Sequence, residues 1–300
     1  MMADPKVTII CVPFGLGAGR LGAEKGPEAI LQAGLIERLE QDGIEVVEIS
    51  EITPPSAISA VVNPKARYLP EVMDVCGKLA DRVAQAITDA SFPLILGGDH
   101  SIAAGSIAGA TRLRPKLGVI WFDAHTDLNT VQTSPSGNVH GMSLAAALGW
   151  TDWRIEDAQG HYTPVNPSNV VFVGARDLDP GEKDFIRRQG IACYTMHEID
   201  RMGMEAVMLQ AIRIASHGTD GVHLSFDIDS VDPREAPGTG TPVRGGVSYR
   251  EAHLALELLS EAGCITSADF VEVNPTLDIN QQTSTLVMEL ICSLFGERIL

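Results

Sequence analysis

Basic residues are scarce in this chain. Lys and Arg number 22 against 39 Asp and Glu, so the 300 residues carry a formal net charge of −17. Such a surface repels phosphate backbones and anionic headgroups, which argues against nucleic acid and membrane surfaces as partners. A small cationic substrate is compatible with it. Long hydrophobic runs are also missing. The apolar segment Val7–Val12 is far too short to span a bilayer. Met1–Lys6 lacks the basic-then-apolar pattern of a secretory signal. The five cysteines (Cys11, Cys76, Cys193, Cys264, Cys292) are scattered, odd in number and mostly set in apolar runs. They read as free thiols in a reducing compartment, not as a disulfide framework or a zinc site. These absences together point to the cytoplasm. No repeat, low-complexity tract or Pro/Gly/Ser-rich linker divides the chain, so residues 1–300 read as a single domain. The polar stretch Trp150–Asn169 reads as a surface loop.

Short apolar, β-branched runs alternate with longer amphipathic stretches. The runs Val7–Val12, Glu45–Ile49, Pro93–Gly97, Leu117–Phe122, Val170–Gly174, Ile191–Tyr194, Val222–Phe226 and Cys264–Val273 predict strands. Helices are predicted near Pro27–Gln41, Tyr68–Ala90, Ile102–Arg112, Met142–Leu148, Gly181–Gln189, Gly203–Ser216, Tyr249–Ala262 and Gln281–Phe295. This alternation favours an α/β fold, a mostly parallel eight-stranded sheet with helices on both faces.

Acids and histidines gather just past the strands. Asp123-Ala-His125-Thr-Asp127 follows Leu117–Phe122, Asp227-Ile-Asp229 follows Val222–Phe226, and His100 follows Pro93–Gly97. An extended chain would aim Asp123, His125 and Asp127 to one side, and Asp227 and Asp229 likewise. Ligands of open α/β sheets bind outside the carboxyl ends of the strands, where Glu272 is also expected. Carboxylates so close repel one another unless cations hold them together. Taken singly, each cluster could be solvated strand-end polar residues. Together they form an oxygen-rich donor set with few imidazoles, suited to Mn²⁺ or Mg²⁺, with the two histidines favouring manganese. Six side chains are better used by two ions than by one, and paired ions are a recurrent hydrolytic device.

The loop Asn129–Gly141 follows the first cluster. It contains Asn129, Ser134, Ser136, Asn138 and His140. It reads either as a turn-rich connector or as a loop binding a polar substrate. His140 suits an acid/base role, and a neutral His140 is expected to favour turnover. Asp179 reads as a helix cap with Pro180 in the first turn, without excluding substrate contact.

Gly97-Gly-Asp-His-Ser101, Asp123-Ala-His-Thr-Asp127, Ser225-Phe-Asp-Ile-Asp229 with Asp232-Pro233, and Pro237-Gly-Thr-Gly-Thr-Pro242 resemble the motifs of the ureohydrolases. The match runs from Pro13-Phe-Gly-Leu-Gly-Ala-Gly-Arg20 to Glu272-Val-Asn-Pro275. The loop Ser136-Gly-Asn-Val-His-Gly141 is similar to that of the arginase branch, where agmatinase-like relatives differ. This resemblance implies two Mn²⁺ ions per subunit, bridged by Asp123 and Asp227. His100 and Asp127 would complete one site, His125 and Asp229 the other. It implies that a bridging hydroxide, oriented by Asp127, attacks the guanidinium carbon of L-arginine to give L-ornithine and urea. His140 would shuttle protons and Glu272 hold the guanidinium. Asn129, Ser134 and Ser136 would meet the α-carboxylate, and Asp179 with Glu182 the α-ammonium. Asn138 and Thr241 complete the implied substrate contacts. Ser134 stands where many members have threonine, and Pro135 adds a kink beside it. The chain ends at Leu300, soon after its last expected helix, which resembles the bacterial type and implies a homo-oligomer, a hexamer or trimer. Alternatives are a ureohydrolase acting on agmatine or guanidinobutyrate, and a metal-binding regulator without turnover.

Overall fold

The computed structural model describes residues 6–56, 61, 63–155 and 162–298. The start of Met1–Lys6, residues 156–161 of the Trp150–Asn169 loop and the end at Leu300 lie outside the described residues. Eight strands form one sheet: β1 (Lys6–Val12), β2 (Glu45–Glu51), β3 (Phe92–Gly97), β4 (Leu117–Phe122), β5 (Val170–Ala175), β6 (Ala192–Thr195), β7 (Gly221–Asp227) and β8 (Ile265–Val271). Their order is β2-β1-β3-β8-β7-β4-β5-β6, and every pairing is parallel. The expected sheet is therefore present, with shifts of one or two residues at strand ends.

Side chains alternate between two apolar layers. On β4, Ile120 and Phe122 enter one layer, while Leu117, Val119 and Trp121 enter the other. The first layer takes helices α1 (Gly26–Gln32), α2 (Leu35–Gln41), α8 (Met204–Ala215), α9 (Tyr249–Ala262) and α10 (Gln282–Leu294). The second takes α3 (Leu69–Thr88), α4 (Ala103–Leu113) and α5 (Ser143–Ala147). A sheet buried on both faces explains why its central strands read as unbroken apolar runs.

Two expectations change. The helix expected over Pro27–Gln41 is two helices, α1 and α2. Gly34 separates them with φ +94°, a left-handed conformation that glycine adopts without a Cβ penalty. A further helix, α7 (Met196–Met202), follows β6. Its signal was in the sequence: Thr195 and Glu198 form a capping box, with Glu198 Oε2 accepting from Thr195 N at 2.9 Å. Helix α6 (Pro180–Gln189) starts after Asp179 as expected. Among the described residues no helix is long and apolar enough to cross a membrane.

Candidate metal centre and active site

The four adjacent strands β3, β8, β7 and β4 deliver the whole cluster from their carboxyl ends. His100 lies in a 3-10 turn three residues after β3, Glu272 directly after β8, Asp227 at the end of β7 with Asp229 two residues beyond, and Asp123 directly after β4. Sequence-distant residues meet because these strands are neighbours.

Strand alternation does not bring these side chains together. The backbone bends at Asp123–His125, and His125 N donates to Asp123 Oδ1 at 2.7 Å. Asp127 has φ +49°, rare for a residue with a Cβ. Asp229 sits in a 3-10 turn, its N–H donating to Asp227 Oδ1 at 2.8 Å. Asp123 and Asp227 each use one oxygen to fold their own turn, the usual Asx habit. Turn geometry, not strand alternation, gathers the five side chains.

His100 Nδ1 faces three carboxylate oxygens: Asp127 Oδ2 and Asp227 Oδ2 at 3.1 Å and Asp123 Oδ2 at 3.2 Å. His125 Nδ1 lies 3.0 Å from Asp229 Oδ2 and 3.4 Å from Asp123 Oδ1. Two groups with ligand-like spacing result, His100–Asp123–Asp227 and Asp123–His125–Asp229, and Asp123 belongs to both. A ring nitrogen carries at most one proton, so it cannot satisfy three carboxylates. Four buried carboxylates with two neutral imidazoles balance the charge of two divalent cations. The donor set therefore fits a paired metal centre of hard ions.

Without cations, protons must neutralise these acids. Burial, then the charge of Asp123, pushes Asp127 up to about 8. Burial, with Asp229 and Asp123 nearby, raises Asp227 well above the ordinary range, and burial raises Asp229. Burial disfavours charge on His100, but its bonds to Asp123 and Asp227 outweigh that and raise it. His125 is raised against burial by Asp229. All five groups hold protons in the folded chain at pH values where the unfolded chain has released them. The folded state then binds more protons, and its stability falls as pH rises. Metal-stripped protein should lose thermal stability through the upper part of the window between the ordinary 3.8 of Asp127 and about 8. The thermal midpoint in chelator should drop there, and less so in Asp127→Asn. A flat or rising midpoint would contradict this charge balance.

A cleft opens beside the cluster. His125, Asp127 and Asp227 form its floor; Asn129, Ser136, His140, Asp177, Asp179, Glu182 and Thr241 line the remainder. Asn129 Nδ2 donates to Asp179 Oδ2 at 2.8 Å, joining the β4 and β5 loops. Glu182 is buried, and its oxygens accept from Thr126 Oγ1, Leu128 N and Asp179 N at 2.9, 3.0 and 2.8 Å. Thr241 Oγ1 donates to Asp229 Oδ2 at 3.0 Å. Three expected contacts stand off the lining: Glu272 is buried, Ser134 is buried with its Oγ accepting from Gly137 N at 2.9 Å, and Asn138 packs against Gly19.

Glu272 Oε1 accepts from His100 N at 2.8 Å and pairs with His140 Nδ1 at 2.9 Å. Burial opposes charge on His140, but the hydrogen bond and charge of Glu272 raise it to about 9. Without cations His140 is thus held protonated at neutral pH. Burial opposes charge on Glu272 too, yet His140 brings its carboxyl below the ordinary range.

Sequence reasoning assigned no role to several residues that build this site. Trp121 Nε1 donates to Asp123 Oδ2 at 2.9 Å, and its ring stacks on His100 with centroids 4.2 Å apart. Buried Asp99 accepts from Gly17 N at 2.7 Å, and Gly17 O in turn accepts from His140 N. Arg176 donates to the carbonyls of Ser230, Asp229 and Val243 at 3.0, 2.6 and 2.7 Å, pinning the Thr241 loop. His223 and Asp269 lie fully buried inside β7 and β8. A charged residue inside an apolar strand is itself a signal, because buried ionisable groups are rare without partners.

The parallel sheet with two His/Asp donor groups at its carboxyl edge defines an α/β protein with a candidate binuclear metal site. The family described as "Arginase family" matches residues 5–296. The arginase of Brevibacillus brevis is 50% identical over 299 residues, covering 99% of this chain and 100% of that one. The crystal structure of arginase from Bacillus cereus is 53% identical with a TM-score of 0.92, covering 99% and 100% of the two chains. The Entamoeba histolytica arginase, solved in complex with L-ornithine, is 37% identical with a TM-score of 0.89 and covers 99% and 100%. The chain belongs to the arginase family and is an arginase-type hydrolase.

Proposed function

We propose that the chain hydrolyses L-arginine to L-ornithine and urea, as a single-domain cytoplasmic enzyme with two Mn²⁺ ions per subunit. One observation carries this reading: the two His/Asp groups sharing Asp123 open onto a cleft lined by Asn129, Ser136 and Asp179. His100, Asp123, Asp127 and Asp227 would hold one ion; Asp123, His125, Asp227 and Asp229 the other. Hard oxygen donors with two imidazoles favour manganese over magnesium. When bound, the ions acidify a water and supply Lewis acidity.

The chain's own residues do the rest. Asp127 accepts a proton of the attacking water and so aims it at the guanidinium carbon. Glu272 Oε1 is taken by His140 and the His100 N–H, which leaves Oε2 to hold the guanidinium. The carbon's bond to the side-chain nitrogen breaks, and protonated His140 donates its proton to the departing amine. Asn129 and Ser136 receive the α-carboxylate, with Ser134 and Asn138 supporting their loop. Asp179 holds the α-ammonium, and Glu182 positions Asp179 through its backbone N–H. Thr241 steadies Asp229.

A homo-oligomer, hexamer or trimer, is part of this reading. Met202 on α7 and Leu209 on α8 leave apolar surface for a partner at 45% and 52% exposure.

The deciding assay compares urea release from arginine and agmatine by manganese-loaded protein. Release from agmatine alone would replace arginine with a substrate lacking the amino-acid head. Asp179→Asn keeps the shape but drops the charge. A lost charge-assisted hydrogen bond is worth about 1.5–3 kcal/mol, so KM for arginine should rise about 10- to 100-fold. Turnover of guanidinobutyrate, which keeps the carboxylate but has no ammonium, should hardly change. An equal effect on both would remove Asp179 from the recognition of the head group.

A further inference from the structure

Behind the metal centre runs a line of polar side chains that never reaches the cleft. His100 Nε2 lies 2.9 Å from Ser225 Oγ. Ser225 Oγ donates to Asp269 Oδ1 at 2.7 Å. Asp269 Oδ2 lies 3.0 Å from His223 Nε2, and His223 Nδ1 lies 2.8 Å from Ser267 Oγ. Ser225, Asp269, His223 and Ser267 each have 0% exposure. They stand opposite one another in the sheet, Ser225 across from Asp269 and His223 across from Ser267. The alternate residues Leu224, Phe226, Ala268 and Phe270 turn to the other face, into the apolar layer. An ionisable pair inside a sheet costs free energy that aliphatic residues would not. The pattern calls for a role beyond packing.

Following the protons supplies one. Asp269 only accepts when ionised, so His223 must present Nε2–H to it. Ser225 has a single proton and gives it to Asp269, so toward His100 the hydroxyl offers a lone pair. His100 must therefore carry its proton on Nε2. Its Nδ1 lone pair then faces Asp123, Asp127 and Asp227, the state in which an imidazole binds metal.

We propose that His223 and Asp269 are positioning residues that set the metal-binding tautomer of His100 through Ser225. This rests on the paired-metal reading above. Asp269→Asn tests the logic with almost no change of shape. Its amide can donate to Ser225 Oγ, which frees the serine proton to point at His100 Nε2. That favours the tautomer with the proton on Nδ1, where it blocks the ion. The His125 side of the centre has no link to this line and keeps its ligands.

The experiment titrates Mn²⁺ into full-length protein by calorimetry and follows the paired-ion signal by electron paramagnetic resonance. Wild type should bind two ions. In Asp269→Asn one ion should bind about 10- to 100-fold more weakly, as outer-shell partners of ligating histidines do. The coupled signal should give way to that of an isolated ion. Ser225→Ala cuts the line without altering the buried pair, so it serves where Asp269→Asn fails to fold, and the same one-ion weakening is expected. Two ions of unchanged affinity in either folded variant would overturn the proposal, as would equal weakening of both ions. Wild type that binds fewer than two ions would overturn the paired-metal reading itself.

Discussion

Asp123→Ala should cut urea production from arginine by about a thousandfold or more and leave neither ion tightly bound. The two oxygens of Asp123 serve the two groups that share it. Oδ2 lies 3.2 Å from His100 Nδ1 and Oδ1 lies 3.4 Å from His125 Nδ1. Burial opposes its charge, yet its bonds to both histidines hold its carboxyl well below the ordinary range. It is thus ionised even without metal, unlike Asp127 and Asp227, whose carboxyls are raised. Lewis-acid stabilisation by bound ions is worth several kcal/mol. At about 1.4 kcal/mol per tenfold in rate, the loss of both ions costs about three orders of magnitude. His125→Ala is the matched control, since His125 belongs to one group only. It should lose one ion and keep the other. Metal analysis of the two purified variants, beside their urea assays, separates the cases. An Asp123→Ala protein that retains two tightly bound ions would show that Asp123 is not shared.

The sequence carried the fold because two signals coincided in it. Apolar runs such as Leu117–Phe122 are the length of a buried strand, and amphipathic stretches separate them. The strand order was not legible: nothing in β3 or β8 says that they pair with each other. That pairing brings Glu272 within reach of His100 and His140. The cluster residues were legible by type and by place past a strand. Their mutual geometry was not, because it depends on Asx turns and on the positive φ of Asp127, which a pattern of alternation cannot express. The supporting line behind His100 escaped for a related reason. His223 and Asp269 sit inside strands, where apolar neighbours mask them, and only the β7–β8 register shows that they face each other. The protonated state of His140 likewise depends on Glu272, 132 residues away in the chain.

Glu272→Gln should lower kcat about 10²- to 10⁴-fold, the usual worth of positioned acid–base chemistry, and should move the pH profile with it. Glu272 has φ +66°, and its N–H donates to Gly98 O at 2.8 Å. Backbone strain of this kind persists where the surroundings over-determine a residue, and it clusters at functional sites. The gain is a carboxylate delivered under two donors, His100 N and His140 Nδ1. Glutamine fits the same space but has no charge. The charge is what keeps His140 protonated: burial works to lower its pKa, and Glu272 outweighs burial to raise it to about 9. On the proposed mechanism protonated His140 is the acid for the leaving amine, so the rate should fall where that proton is lost; cations held by Asp127 would offset part of the negative charge that raises His140 and place that loss below about 9. Without the carboxylate, burial is opposed more weakly and the His140 pKa must drop. The alkaline limb of kcat should then begin at a lower pH in Glu272→Gln than in wild type, while both ions stay bound. Asp123→Ala, by contrast, should lose rate together with metal. A Glu272→Gln enzyme with reduced kcat but an unmoved alkaline limb would confine Glu272 to holding the guanidinium and leave the proton of the departing amine to another donor.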